Sequence, residues 1–380
     1  MRHWAASCPD RRGGQPTVGV EEEFVLLDAR TGVAVPAAPR VLGALGGEPG
    51  VVPEFLRFQV ETMTGVCRSL AEVRADLARL RERLGDAADE AGCLAVATAV
   101  APFGAVPLVT ADARYERLAA RFPALVERTG TCACHVHVGI PFRAAGIRAL
   151  AGLRPWLGVL LALSANSPYV DGLDSGWASA RYPLWSRWPT ARPPAAWRDV
   201  AEYDAAIGEA IRSGAAPDAR GVYFYARLSP RHPTVEVRIA DVCLDVGDAV
   251  VLAGLVRALV VTALGEDAPP RRTPDSVVLR SLRTAARHGL AGPGLDVTTG
   301  STAPAEKLVE DLLAYVRPAL RAAGDLDEVR RGCRELETLG GGAGRQRVLR
   351  AAAATPARFA ARLAAATRGT DDGQNVEAAQ

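Results

Sequence analysis

Little in this sequence points to a partner larger than a metabolite. Lys and Arg number 45 against 43 Asp and Glu, a formal net charge of +2. No strongly basic block upsets that balance, which argues against nucleic acid and against an anionic membrane surface. The seven cysteines are scattered without a Cys-x-x-Cys pair. That speaks against a disulfide framework and fits reduced thiols in a cytoplasmic protein. The opening MRHWAASCPDRRGGQP has no apolar core for an export signal, and the long hydrophobic run near Val246 to Leu264 is broken by Asp248 and Arg257. Neither export nor a membrane span is expected. A GxxxxGK[ST] phosphate loop is also missing. GGGAGRQR at Gly340 lacks the lysine and the preceding strand, so it reads as a helix-connecting loop first and a phosphate contact second.

What remains is ample for a packed core: 380 residues, 49% of them hydrophobic. A small-molecule partner fits this composition. Residues 1–16 read as a loose leader, 17–368 as a single catalytic domain that is helical from about 246 to 368, and 369–380 as a disordered tail.

Three stretches carry chemistry. In GVEEEF, Gly19 to Phe24, a strand puts Val18, Val20, Phe24 and Leu26 on one face and Glu21 with Glu23 on the other. Two carboxylates pointing together need a proton, an arginine or a cation between them, and hard dications prefer oxygen ligands. This is a candidate magnesium site; a charged edge strand facing water is the alternative. In EFLRFQVETM, Glu54 and Glu61 are separated by an odd number of positions. Both reach one site only across a bulge or from a flanking loop. In TCACHVHVGI, Thr131 to Ile140, the even positions are apolar while His135 and His137 share the other face, suited to a metal or a phosphate, with paired histidines stacked on a half-buried sheet as the alternative. In PTVEVRIAD, Val235, Val237 and Ile239 alternate with Thr234, Glu236 and Arg238. Glu236 and Arg238 suit a metal ligand beside a phosphate clamp. A same-face ion pair, contributing at most about 1 kcal/mol if exposed, is the other reading.

Between these lie clearly patterned helices, such as Ser69 to Gly92 with Ser69 as N-cap, and others over Asp112 to Arg128, Arg143 to Ala165 and Val200 to Ser213. Cys93 to Val100 and Gly221 to Leu228 read as strands. Pro36 to Pro53 reads as a long loop, and Tyr169 to Pro194 as a lid or binding loop in which Trp177, Trp185 and Trp188 are anchors. For its Arg181 and Arg187 a solvated surface role stands beside a binding one. If the polar faces converge, Glu21, Glu23, Glu54, Glu61, His135 and Glu236 carry more negative charge than one dication balances. Two or more magnesium ions bridging phosphates then fit.

Taken together, GVEEEF, CHVHVG, LLALSANSP, RWPTARPP and PTVEVRIADVCL resemble the YbdK-type carboxylate-amine ligases, the glutamate-cysteine ligase type 2 family, over roughly Thr17 to Ala366. The resemblance implies an α+β fold: a curved, mainly antiparallel sheet with helices packed on one side, as in glutamine synthetase, whose inner face binds Mg-ATP. It implies metal ligands at Glu21, Glu23, Glu54, Glu61, His135 and Glu236, and Arg238 on the transferred phosphoryl group. His137, Arg181 and Thr234 join Arg238 as candidate substrate or nucleotide contacts. The activity implied is ATP-dependent amide formation through an acyl phosphate, with γ-glutamylcysteine as an example product. A Mg-ATP phosphotransferase of the same fold, or a nucleotide-binding protein without turnover, is the alternative. Loop Trp and Pro residues and apolar surface helices permit a homodimer.

Overall fold

The alternation that begins at Val18 builds the centre of a sheet. The computed structural model describes residues 14–126, 130–265 and 273–370; the expected leader before residue 14, the end of the helix expected to reach Arg128 and the tail beyond 370 lie outside them. Strand β1 (Val18–Asp28) is flanked by β3 (Gln59–Met63) and β5 (Cys134–Gly139), with β4 (Cys93–Val96) pairing its far end. Outward of β3 lies β2 (Val51–Pro53). A short hairpin, β6 (Tyr169–Val170) and β7 (Leu173–Asp174), stands apart, and β8 (Ala226–Leu228) and β9 (Thr234–Val237) complete the sheet beyond β5. The order is β2-β3-β1-β5-β9-β8, and every pairing is antiparallel.

One face of this sheet is apolar and covered by helices. Val20, Phe24, Val136, Val138, Val235 and Val237 are fully buried there. Helices Leu70–Glu90 and Val246–Gly265 pack on it, and Pro356–Arg368 packs on β4. Leu70, Val73, Leu77, Leu80 and Leu84 line the buried side of the first, at the spacing a helix requires. Its start is fixed by Ser69, whose hydroxyl accepts from Glu72 N at 3.2 Å. Two helical stretches, Arg143–Ser164 and Val246–Gly265, are long and apolar enough to cross a membrane, and most of each is buried in the protein. The first is divided by a 3₁₀ turn at Arg154–Trp156, where Pro155 removes a backbone donor.

Several elements differ from expectation. Pro36 to Pro53 is not a continuous loop: it contains the helix Ala38–Ala44, with a proline in its first turn, and β2. The helix opening at Asp112 stops at Arg121, ahead of Pro123. The strand expected from Gly221 is regular only over Ala226–Leu228. Gly340 caps one helix in the left-handed conformation and Gly341 starts the next, so the glycine run is largely helical.

Candidate active site

Register sets the polar face. Glu23 stands opposite Glu61 of β3, Glu21 opposite His135 of β5, and His137 opposite Glu236 of β9. Side chains from β1, β3, β5 and β9 therefore meet on the face away from the helices. They line a cavity of about 190 Å³ that holds Glu21, Glu23, Glu54, Glu61, His135, His137, Arg181, Glu236 and Arg238. Thr234 lies just behind it and contacts His137 Nδ1 through Oγ1 at 2.9 Å. Glu54 precedes β3 on a flanking segment while Glu61 is within the strand, which resolves their odd spacing.

Distances within the cavity are short. Glu21 Oε2 lies 3.1 Å from His135 Nδ1 and Oε1 lies 3.3 Å from His137 Nε2. Glu23 Oε2 accepts from the backbone N of Ala133 at 2.8 Å, and its Oε1 is 3.9 Å from His135 Nε2. Glu236 is gripped by two arginines: Arg227 Nε donates at 2.8 Å and Nη2 at 3.1 Å, and Arg238 Nη1 makes a close contact. The Glu236–Arg238 ion pair exists, but in a buried setting, so it is not the solvated pair that the sequence leaves open.

Charge is distributed unevenly along the cavity. Burial and then the charge of Glu54 push the Glu23 carboxyl up to about 8. Burial pushes Glu61 well above its ordinary value, with Glu21, Glu54 and Glu23 adding to the effect. Glu54 is also raised by burial. At Glu21 burial opposes ionisation, but His137 and His135 outweigh it and hold the group well below its usual range. The same contest at Glu236 is won by Arg227 and Arg238, which lower it. Burial, helped by Arg238, lowers His135 to about 4. The inner end thus gathers Glu23, Glu54 and Glu61, none of them ion-paired to an arginine or lysine among the described residues, the condition a dication relieves.

Of the two roles the sequence leaves open for Arg181, the solvated one does not hold, and the side chain lines the cavity. It is buried rather than solvated, with Nη1 donating to the Ile239 carbonyl at 2.9 Å and Nη2 to that of Arg238 at 3.1 Å. Its guanidinium carbon sits 4.5 Å from the Trp185 ring centroid. Arg187 is exposed. The segment around Arg181 is fastened by Asp241, a fully buried carboxylate that accepts from Asn166 N at 2.9 Å, Ser167 Oγ at 2.7 Å and Ser179 Oγ at 2.8 Å. Trp185 and Trp188 are buried and Trp177 half-buried, as anchors should be. Asp241→Ala should therefore destabilise the protein by about 3 kcal/mol and speed proteolytic cleavage within Tyr169 to Pro194. An unchanged cleavage pattern would show that this carboxylate does not fasten the segment.

Other lining residues carry little signal in the sequence. Arg227 faces Glu236 directly across the β8–β9 hairpin, a pairing to which the polar SPRHP turn is the available pointer. His232 lies in that turn, its ring 6.2 Å from His137. Tyr115 donates to Glu54 Oε2 at 3.3 Å from a helix that reads only as amphipathic.

The backbone is similar to a glutamate–cysteine ligase from Francisella tularensis solved in complex with AMP. The TM-score is 0.71 at 13% identity, over 94% of this chain and 90% of that one. It is also similar to a bifunctional glutathione synthetase from Pasteurella multocida, with a TM-score of 0.70 at 16% identity over 93% of this chain and 52% of that one. At such identities the likeness establishes the fold, the α+β arrangement expected from the sequence. The class is that of an ATP-dependent ligase acting on small molecules. The glutamate-cysteine ligase family 2 matches residues 17–374, and the chain belongs to that family. A relative from Frankia alni, provisionally named glutamate–cysteine ligase 2-2, is 43% identical over 88% of this chain and 92% of its own length. One from Saccharopolyspora erythraea, provisionally named glutamate–cysteine ligase 2-1, is 44% identical over 87% and 89%.

Proposed function

We propose that this chain uses Mg-ATP to activate the side-chain carboxyl of glutamate and joins it to the amine of cysteine or a related amino compound. The observation that carries the reading is a shared pair of donor sets. Glu21, His135 and Glu236 form one, and Glu23, Glu61 and His135 the other, each with ligand atoms within 4.8 Å of one another. Their oxygens and imidazole suit two or more hard dications, with Glu54 close by. Bound magnesium would supply neutralisation of the charge that builds on the transferred phosphoryl group.

The chain's own residues do the rest. Arg238 faces the same cavity, held by Glu236 through its side chain and by Arg181 through its carbonyl, and would bind phosphoryl oxygens. Thr234 fixes one nitrogen of His137 and so aims the other at Glu21. In the reaction a glutamate carboxylate oxygen bonds to the terminal phosphorus of ATP and ADP leaves. The amine then attacks the acyl phosphate carbonyl, phosphate departs with the C–O electron pair, and the amine gives up a proton. Hydroxide is too poor a leaving group for the amine to displace directly, which is why activation is needed. The relatives' names support glutamate and cysteine as the pair. The six described cysteines are free and buried, in keeping with a reducing cytoplasm. A homodimer belongs to the proposal as an arrangement that exposed Phe142 and Leu173 permit.

Mass spectrometry of products from Mg-ATP, glutamate and a panel of amines, with ADP followed alongside, tests the reading. A product at glutamate plus amine minus water, dependent on ATP, is expected; absence of ADP with every pair would overturn it. A second expectation concerns metal binding. With Glu23 raised to about 8 and Glu61 also raised, the metal-free site holds protons at neutral pH. Magnesium must displace them, so affinity should rise as pH climbs toward 8. Titration calorimetry at pH 7, in two buffers of different ionisation enthalpy, should show net proton release. Binding without release would mean that the ion sits elsewhere.

A further inference from the structure

We infer that Arg220 and Arg231 form a carboxylate-reading pair at the mouth of this cavity, which selects amino-acid substrates over their decarboxylated counterparts. The inference rests on the ligase reading for its choice of substrates. Five arginines line the cavity, Arg114, Arg220, Arg227, Arg231 and Arg238, and of these Arg220 and Arg231 are exposed and mark its outer end. Three have carboxylate partners: Arg114 pairs with Asp218 at 3.2 Å, and Arg227 and Arg238 share Glu236. Among the described residues, Arg220 and Arg231 form no ion pair within 4 Å.

Both sit on short, tied turns. Arg220 lies in the 3₁₀ turn Ala219–Gly221, whose start is fixed by Asp218 accepting from Gly221 N at 2.8 Å, and its own carbonyl accepts from Arg227 Nη1 at 2.9 Å. Arg231 lies in the β8–β9 turn, where Ser229 Oγ accepts from Arg231 N at 3.4 Å and from His232 N at 3.3 Å. Burial, then the neighbouring charges of Arg114 and Arg231, hold the Arg220 guanidinium below its ordinary value. Like charges collected beside a cavity are costly unless an anion arrives between them. The inner end is already suited to metal and phosphate, whereas the outer pair offers forked donors to an anionic oxygen group that no metal covers. A carboxylate that takes no part in the chemistry, next to an amine, is that group on an amino acid.

The test compares Arg220→Gln, Arg231→Gln and the double variant with wild type on two substrate pairs. Glutamate is set against 4-aminobutyrate, which keeps the reacting carboxyl but lacks the α-carboxylate, and cysteine against cysteamine. Loss of two exposed charge-assisted contacts should lower kcat/KM roughly 10- to 100-fold for the carboxylated member of one pair. Its decarboxylated counterpart should fall by less than about 3-fold. The pair that responds identifies which substrate is read. Equal losses on both members of both pairs, or an effect confined to the KM for ATP, would overturn the inference. Calorimetric binding of glutamate and cysteine provides a readout without turnover. If wild type forms no amide yet binds one of them more tightly than the double variant does, the ligase reading fails and the carboxylate pair stands. Equal affinity in wild type and variant would sink the pair itself.

Discussion

Arg238→Lys is expected to lower kcat for ATP-dependent amide formation by roughly 100- to 1,000-fold, with the fold intact. Lysine keeps the positive charge but not the planar fork, and the position of Arg238 shows that the fork matters. One arm contacts Glu236, the backbone carbonyl is held by Arg181 at 3.1 Å, and Nε has no hydrogen-bond partner among the described residues. That leaves donors in a buried setting for oxygens supplied by a ligand. Charge developing on the transferred group meets donors that are already oriented, so little reorganisation accompanies the step. Steady-state release of ADP, matched to amide by mass spectrometry, measures the effect, and a thermal melt checks folding. A variant within about 3-fold of wild type would remove Arg238 from the transferred phosphoryl group.

Arg81→Met is expected to remove about 3–5 kcal/mol of stability without touching the cavity. Glu22 points away from its neighbours Glu21 and Glu23, into the layer between sheet and helices, and is fully buried. Arg81 meets it with Nε at 2.9 Å and Nη2 at 2.5 Å. The remaining donors reach the carbonyls of Leu244 and Thr367 at 3.1 Å each and of Cys243 at 2.9 Å. All five N–H groups are thereby used. Methionine fills much of the volume but leaves a buried carboxylate and three carbonyls bare. Urea unfolding at pH 7 reads the loss as a lower midpoint. Should Arg81→Met fail to fold, Glu22→Gln, which keeps the shape and removes the charge, gives a measurable intermediate. Stability within about 1 kcal/mol of wild type for both would falsify the account.

Alternation of side chains is enough to make the polar strand faces legible in the sequence. It separates Glu21 and Glu23 from Glu22, but does not say what Glu22 meets, because Arg81 lies on another element and looks like any charge on an amphipathic helix. Asp241 is hidden for a similar reason: its partners, Asn166, Ser167 and Ser179, come from a distant loop. Arg181 reads as solvated or ligand-binding because a sequence does not show that a Gly- and Pro-rich segment folds back onto the residues that follow β9. The convergence of Glu54 with Glu61 depends on a flanking segment whose path only tertiary contacts define. Helix Ala38–Ala44 escapes a reading of the sequence because its few apolar residues sit among Gly and Pro, where turn chemistry is the stronger local signal.

The strand order also governs when the site can come into being during synthesis. β1 precedes β5 and β9 in the chain, and its neighbour β5 must wait for β9 before His137 finds Glu236 opposite it. A nascent chain that ends before Thr234 therefore exposes an unpaired edge of β5 and carries one of the two donor sets without its third member. Contacts this far apart in sequence form slowly. Until they do, the growing chain carries the acids of β1 and β3 without Glu236 and Arg238, so this cavity is among the last parts of the sheet to be completed.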